Sequence, residues 1–191
     1  TWVPMVTRIT GGNERGRKLH SAKSPDLRPT SEKVRLAIFS IVGQDAVREK
    51  RALDLYAGIG TLGIEALSRQ AAWVDFVEDN PNRCRDIKTS LRELGMDSKA
   101  QIHRGKSERA LNLTDGKYDL VFADPPYNLN PWDLLMNRLE ERNLLSAGAL
   151  VIAEHSSQVD LKERYGKIYR FTKRQYGDTS ISIYKAETQY G

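Results

Sequence analysis

The stretch Ala52-Leu53-Asp54-Leu55-Tyr56-Ala57-Gly58-Ile59-Gly60-Thr61-Leu62-Gly63 decides the fold. Ala52 to Tyr56 reads as a short strand, and Gly58, Gly60 and Gly63 keep the G-x-G-x-x-G spacing. Glycine tolerates left-handed backbone and lets the main chain approach a ligand closely. A helix predicted from Thr61 to Arg69 places this turn between strand and helix, where open α/β sheets hold their ligands. A second predicted strand, Trp73 to Glu78, ends on an acid twenty residues after Gly58. A carboxylate there can accept hydrogen bonds from ribose hydroxyls.

Outward from this unit the pattern keeps alternating. Pro81 opens a helix that runs to Leu94 and stops at Gly95, consistent with proline at a helix start and glycine at its end. Residues 100–104 form a third strand, Lys106 to Leu111 a short helix, and Tyr118 to Ala123 a fourth strand. A helix from Pro131 to about Arg142 and a fifth strand from Gly148 to Glu154 follow. Two more strands, Lys167 to Arg174 and Thr179 to Lys185, turn at Tyr176-Gly177-Asp178. This order predicts an α/β, Rossmann-like fold: a mainly parallel seven-stranded sheet with an antiparallel C-terminal edge hairpin. Ahead of it, residues 7–19 read as a small β-hairpin with Gly-Gly-Asn turn chemistry, and Pro25 and Pro29 mark a loop. Thr30 or Ser31 caps a helix whose apolar face holds Val34, Ile38 and Phe39 and which Gly43 ends.

A second informative stretch is Asp124-Pro125-Pro126-Tyr127, directly after the fourth strand. Consecutive prolines fix φ and carry no N–H donors. The turn therefore offers acceptors: the Asp124 carboxylate and main-chain carbonyls. Such a site suits a planar exocyclic amine, and Tyr127 adds a π-face for stacking. Two cofactors compete for the glycine turn. A dinucleotide matches the spacing of Gly58, Gly60, Gly63 and Glu78. Cationic S-adenosyl-L-methionine better explains Asp54 inside the first strand, since a pyrophosphate gains nothing from a carboxylate there. The sheet order also brings Asp124 beside the glycine turn, and too little chain follows residue 150 for a dehydrogenase's substrate domain.

The chain has 191 residues, 39% hydrophobic and 29% charged, the composition of an ordinary globule. No apolar run approaches the ~20 residues of a membrane helix. Residues 1–5 lack the charged start and apolar core of a secretory signal. With the single cysteine, Cys84, this makes a reducing cytoplasm the expected setting. His20, His103 and His155 show no metal-ligand spacing, so no metal is expected. Cys84 reads as a helix-face residue, and His155, next to Glu154, as structural. The net charge is +5, but residues 1–51 alone carry +6. A basic arm on a near-neutral body points to a polyanionic partner. Its candidates for phosphate contact are Arg8, Arg15, Arg17, Lys18, Lys23, Arg28, Lys33 and Arg35.

Taken together, residues 53–60, Gly63 to Arg69, Phe76-Val77-Glu78 and Asp124 to Tyr127 resemble the bacterial RsmD family, guanine-N2 methyltransferases of 16S ribosomal RNA. Arg8 to Gly12, Gly16-Arg17, Arg28-Pro29-Thr30, Val34-Arg35 and Tyr176 to Thr179 extend the resemblance over nearly the whole chain. It implies a class I methyltransferase domain over residues 31–191 with a basic hairpin extension over residues 1–30. It also implies S-adenosyl-L-methionine as cofactor and 16S ribosomal RNA as partner, within an assembled or partly assembled small subunit. A monomer suffices for this. The implied cofactor residues are Asp54 and the backbone of Tyr56, Ala57, Gly58 and Gly60 for the methionine end, Thr61 where the turn feeds the next helix, and Glu78 for the ribose. Where many methyltransferases place an acid against the adenine, this chain has Arg104-Gly105-Lys106-Ser107, so backbone groups near Ser107 are expected to serve. Asp124, Pro125, Pro126 and Tyr127 would hold and orient the target base. A DNA adenine-N6 methyltransferase and a non-catalytic RNA-binding module are the competing readings.

Overall fold

The computed structural model describes residues 6–21, 29–112 and 114–188. Two candidates for phosphate contact, Lys23 and Arg28, lie outside them. The strands are β1 (Arg51–Leu55), β2 (Trp73–Glu78), β3 (Ala100–Arg104), β4 (Tyr118–Ala123), β5 (Leu145–Ser156), β6 (Arg164–Tyr165), β7 (Ile168–Tyr176) and β8 (Thr179–Ala186). The helices are α1 (Glu32–Val42), α2 (Thr61–Ser68), α3 (Pro81–Glu93), α4 (Ser107–Ala110) and α5 (Trp132–Glu141). The strands join in one sheet, in the order β3-β2-β1-β4-β5-β8-β7-β6. β1 to β5 pair in parallel, while β8 pairs antiparallel with β5 and β7.

Alternation along the strands divides the core. Ala52, Phe76, Leu120, Phe122 and Ile152 belong to the layer shared with α1, α2 and α3. Leu53, Leu55, Val77, Val121 and Ala153 face the layer holding Trp132, Leu135 and Leu139 of α5. Both faces are covered, so the strands read as continuous apolar runs. Ser31 caps α1 by accepting a hydrogen bond from Val34 N, and Gly43 ends that helix. Asn80 caps α3, with Pro81 in its first turn.

Three features differ from the sequence reading. The sheet has an eighth strand, β6, two residues long and joined to β7 through Gly166 at φ 58°. Two residues offer no period to detect. β5 begins at Leu145 rather than Gly148, across a register shift opposite Tyr118 to Leu120. The expected N-terminal hairpin is a short pairing rather than two full strands: an antiparallel bridge of Arg8 with Lys18, flanked by Ile9 N donating to the Arg17 carbonyl and Leu19 N to the Thr7 carbonyl. Its Ile9 and Leu19 are buried in the α1–α2–α3 layer.

Among the described residues no helix is long and apolar enough to cross a membrane.

Candidate functional site

The carboxyl ends of β1, β2 and β4 open into one cavity of about 1190 Å³. It is lined by Asp54, Tyr56, Ala57, Gly58, Thr61, Glu78, Ser107, Asp124, Pro125, Pro126 and Tyr127, all expected from the sequence. Gly60 is an exception. It does not line the cavity but serves as N-cap of α2 at φ 83°. A Cβ there would press on Ile64, Phe76 and Ile87, so the residue acts through conformation and packing. Gly63 has a similar task, because a Cβ would strike the Phe76 ring. It lets α2 pack closely on β2.

Asp54 sits at the end of β1 and faces α2. Its Oδ2 accepts a hydrogen bond from Gly63 N at 2.9 Å, satisfying a donor of the first turn that no N-cap side chain serves. Burial, and then the charge of Glu78, push the Asp54 carboxyl up to about 8, against the pull of the Gly63 N–H. Glu78 is 5% exposed and receives Gly58 N at 2.9 Å on one oxygen and Asn80 N at 2.7 Å on the other. Those bonds fix the glycine turn to the end of β2. Burial raises its pKa while the two N–H groups oppose the shift. Tyr56 holds a left-handed φ of 54°, a costly state for an aromatic residue. It is held by Tyr56 N donating to Ser107 Oγ at 3.1 Å and by its hydroxyl donating to Glu108 Oε1 at 2.6 Å.

Asp124 follows β4 and is partly open to the cavity. Burial, then Glu154, raise its pKa well above the carboxylate range. Tyr127 is 53% exposed at the cavity mouth, and its hydroxyl shares a hydrogen bond with Thr179 Oγ1. Among the other lining residues, four polar ones stand close to Asp124 and Tyr127: Thr30, Glu154, Asp178 and Thr179. The sequence reads Thr30 as a cap, Glu154 as a strand end, and Asp178 and Thr179 as hairpin residues. The available signal for Glu154 was its place at the end of a parallel strand beside β4. His155 Nδ1 donates to the Ser156 carbonyl and its Nε2 shares a hydrogen bond with Ser182 Oγ, away from the cavity. Cys84 lies on α3 with Sγ toward the Glu78 carbonyl, and burial raises its thiol pKa.

The described cations of the basic arm divide into two groups. Arg8, Arg15, Arg17, Lys18 and Lys33 are exposed, although Arg17 already meets Glu14 and the Glu93 carbonyl. Arg35 corrects the sequence reading: it is buried, 3% exposed, and cannot reach a phosphate. Its guanidinium donates to the carbonyls of Thr30 and Arg8 and pairs with Glu65. The turn at residues 12–16 rests near Ser68, at the end of α2 remote from the glycine turn. Arg15 and Arg17 therefore lie roughly 12 Å along α2 from the glycine turn, whereas Lys33 adjoins Ser31 and Val34 of the cavity wall.

Residues 7–185 match the family described as Conserved hypothetical protein 95. A Bacillus subtilis (strain 168) protein provisionally named rRNA methyltransferase YlbH is 34% identical over 181 residues, covering 93% of this chain and 98% of that protein. The ribosomal RNA small subunit methyltransferase D of Escherichia coli (strain K12) is 31% identical over 185 residues, covering 95% and 91%. A solved Escherichia coli structure carrying the provisional methyltransferase name yhhF superposes with TM-score 0.86 at 28% identity, over 97% of this chain and 100% of that one. The fold is that of class I methyltransferases.

Proposed function

The chain belongs to the Conserved hypothetical protein 95 family, that of the RsmD proteins, and from that premise we propose that it transfers a methyl group from S-adenosyl-L-methionine to the exocyclic N2 amine of a guanine in 16S ribosomal RNA of the small subunit. One observation carries the reading: the Asp124 to Tyr127 turn faces the glycine turn, Asp54 and Glu78 across a single cavity. In this reading residues 1–30 are an RNA-facing extension of a methyltransferase domain spanning residues 31–191, and a monomer acts on an assembled or partly assembled subunit. Nucleoside analysis after transfer of labelled methyl groups tests the reaction.

The residues present fit S-adenosyl-L-methionine. Asp54 is buried and belongs to no ion pair among the described residues, so a ligand cation would compensate it. Glu78 keeps acceptor capacity for ribose hydroxyls beyond its two backbone donors. When bound, the cofactor supplies an electrophilic methyl carbon on a sulfonium. Asp54 and the Tyr56–Gly58 backbone would hold its methionine end, and backbone groups near Ser107 would meet its adenine. Tyr127 stacks on a guanine taken out of its RNA context. Asp124 and the Pro125 carbonyl accept the two amine protons and aim the nitrogen at the methyl carbon. Most of the acceleration then comes from alignment, with acceptors placed for the forming charge.

A pH dependence follows. Below about pH 8 Asp54 holds a proton in the free chain, and a cationic ligand favours the carboxylate. Binding therefore expels a proton, and affinity rises with pH between about 6 and 7.5, by at most about tenfold per unit for each proton lost. Calorimetry in two buffers of different ionisation enthalpy reads the proton directly. A flat affinity with no proton release contradicts the role of Asp54.

Neutralising Arg15, Arg17 and Lys18 together is expected to weaken RNA binding about tenfold and to flatten its salt dependence, each lost phosphate contact removing about 0.7–0.9 from the log–log slope. Phosphate contacts give affinity and little sequence readout. An unchanged slope assigns the arm no RNA contact.

A further inference from the structure

The turn Tyr176-Gly177-Asp178-Thr179 belongs neither to the glycine side of the cavity nor to the Asp124 turn, yet Asp178 and Thr179 line the cavity. It closes the β7–β8 hairpin. Thr179 pairs with Ser156 at the end of β5 and with Tyr176 across the turn. Gly177 takes φ 61° at the first of the two turn positions, where a tight hairpin needs a positive φ. The turn is fastened to the residue that follows β5. Ser157 N donates to the Asp178 carbonyl at 2.9 Å, and the Ser157 hydroxyl donates to the Gly177 carbonyl at 3.1 Å. Ser180 Oγ donates to Ser157 Oγ at 3.1 Å. Gln175 Nε2 donates to the same Gly177 carbonyl at 3.1 Å, and Tyr176 packs on the α1–α2–α3 layer.

Tyr127 reaches this anchored turn. It follows β4, and its hydroxyl shares a hydrogen bond with Thr179 Oγ1 at the start of β8, with β5 between the two strands. We propose that Thr179 is a positioning residue for Tyr127: the β7–β8 turn holds the tyrosine hydroxyl, so that the ring is set at the cavity mouth before the target base arrives. This rests on the methyl-transfer reading of the cavity and names the element that fixes its stacking surface.

The reason is conformational. Pro125 and Pro126 fix the backbone on which Tyr127 stands, but they leave its side-chain torsions free. The ring is exposed, and among the described residues no other aromatic ring packs on it. Ordering a free side chain at the moment of binding lowers affinity, and a ring ordered in advance avoids that loss. Tying the hydroxyl also leaves the face of the ring, rather than its polar tip, to meet the base.

A double-mutant cycle separates holding the ring from building the hairpin. Thr179→Val keeps the shape and the strand preference of the residue and removes its hydroxyl. Tyr127→Phe keeps the ring and removes its hydroxyl. Each is expected to lower kcat/KM for unmethylated small ribosomal subunits about fivefold to tenfold. Affinity for S-adenosylhomocysteine, by calorimetry, should stay within about twofold, since Thr179 lies across the cavity from the glycine turn. The double variant should lose no more than about twofold beyond either single variant, far short of the product of the two losses. Thr179→Ser restores the hydroxyl and should recover kcat/KM to within about twofold of wild type. A threonine that only builds the hairpin acts whether or not the tyrosine carries a hydroxyl, and its loss then multiplies with that of Tyr127→Phe. Multiplying losses overturn the proposal, as does a Tyr127→Phe variant indistinguishable from wild type, or a Thr179→Ser variant that loses as much as Tyr127→Phe. If Thr179→Val does not fold, Tyr127→Phe and Thr179→Ser decide by the last two criteria. Absence of methyl transfer by the wild-type chain contradicts the reading of the cavity instead, a result distinct from transfer with multiplying losses.

Discussion

Asp124→Ala lowers kcat for methyl transfer by about 10³-fold and leaves the affinity for S-adenosylhomocysteine within about threefold of wild type. The asymmetry follows from the layout of the cavity. Asp54, Glu78 and the glycine turn lie on β1 and β2, and their backbone partners are each other. Asp124 lies across the cavity just past β4, where its neighbours are Thr30 and Glu154 rather than the glycine turn. Removing its carboxylate takes away an acceptor for the target amine, whose nitrogen then has the Pro125 carbonyl alone to aim it. Single-turnover kinetics with calorimetry checks this. Equal losses in binding and in turnover would make Asp124 a cofactor ligand rather than an acceptor for the base.

Glu65→Ala destabilises the fold by about 3–5 kcal/mol, measured by urea unfolding. Glu65 is fully buried in α2. Its carboxylate accepts from Thr10 N and Oγ1 at 2.8 Å and from Gly11 N at 2.9 Å, and it pairs with Arg35 and Arg69. Alanine strands those donors and leaves the Arg35 guanidinium buried beside no carboxylate. Burial already lowers the Arg35 pKa against the pull of Glu65. Against a typical domain stability of about 5–15 kcal/mol, this loss is large. The same change frees the arm, so proteolysis within residues 7–19 should accelerate. A loss below about 1 kcal/mol with an unchanged cleavage rate would show that the arm is held by Ile9 and Leu19 instead.

These two variants mark how far the sequence could be read. Asp54, Glu78 and Asp124 were legible because each sits at a strand end, and strand ends at one edge of a parallel sheet converge without knowledge of any side chain. Gly63 was legible as spacing, although its task of admitting the Phe76 ring was not. Arg35 was misread for a definite reason. A charge count treats every arginine in a basic arm alike, and what buries this one is Glu65, thirty residues away on another helix. Glu65 gave no warning either, since a glutamate in a helix usually faces water. Thr30 and Glu154 each carried an adequate local explanation, as helix cap and strand end. Thr30 meets both Glu154 and Asp124, which depends on where that residue sits relative to the sheet. That is tertiary information no window of sequence contains.

Transfer of labelled methyl from S-adenosyl-L-methionine to unmethylated small ribosomal subunits, with duplex DNA in parallel and nucleoside analysis of both, tests the account most directly. It predicts N2-methylguanosine in the 16S ribosomal RNA, lost in Asp124→Ala. N6-methyladenine in the DNA would keep the chemistry of the cavity and overturn the substrate, and no transfer to either would contradict the assignment of the cavity to methyl transfer.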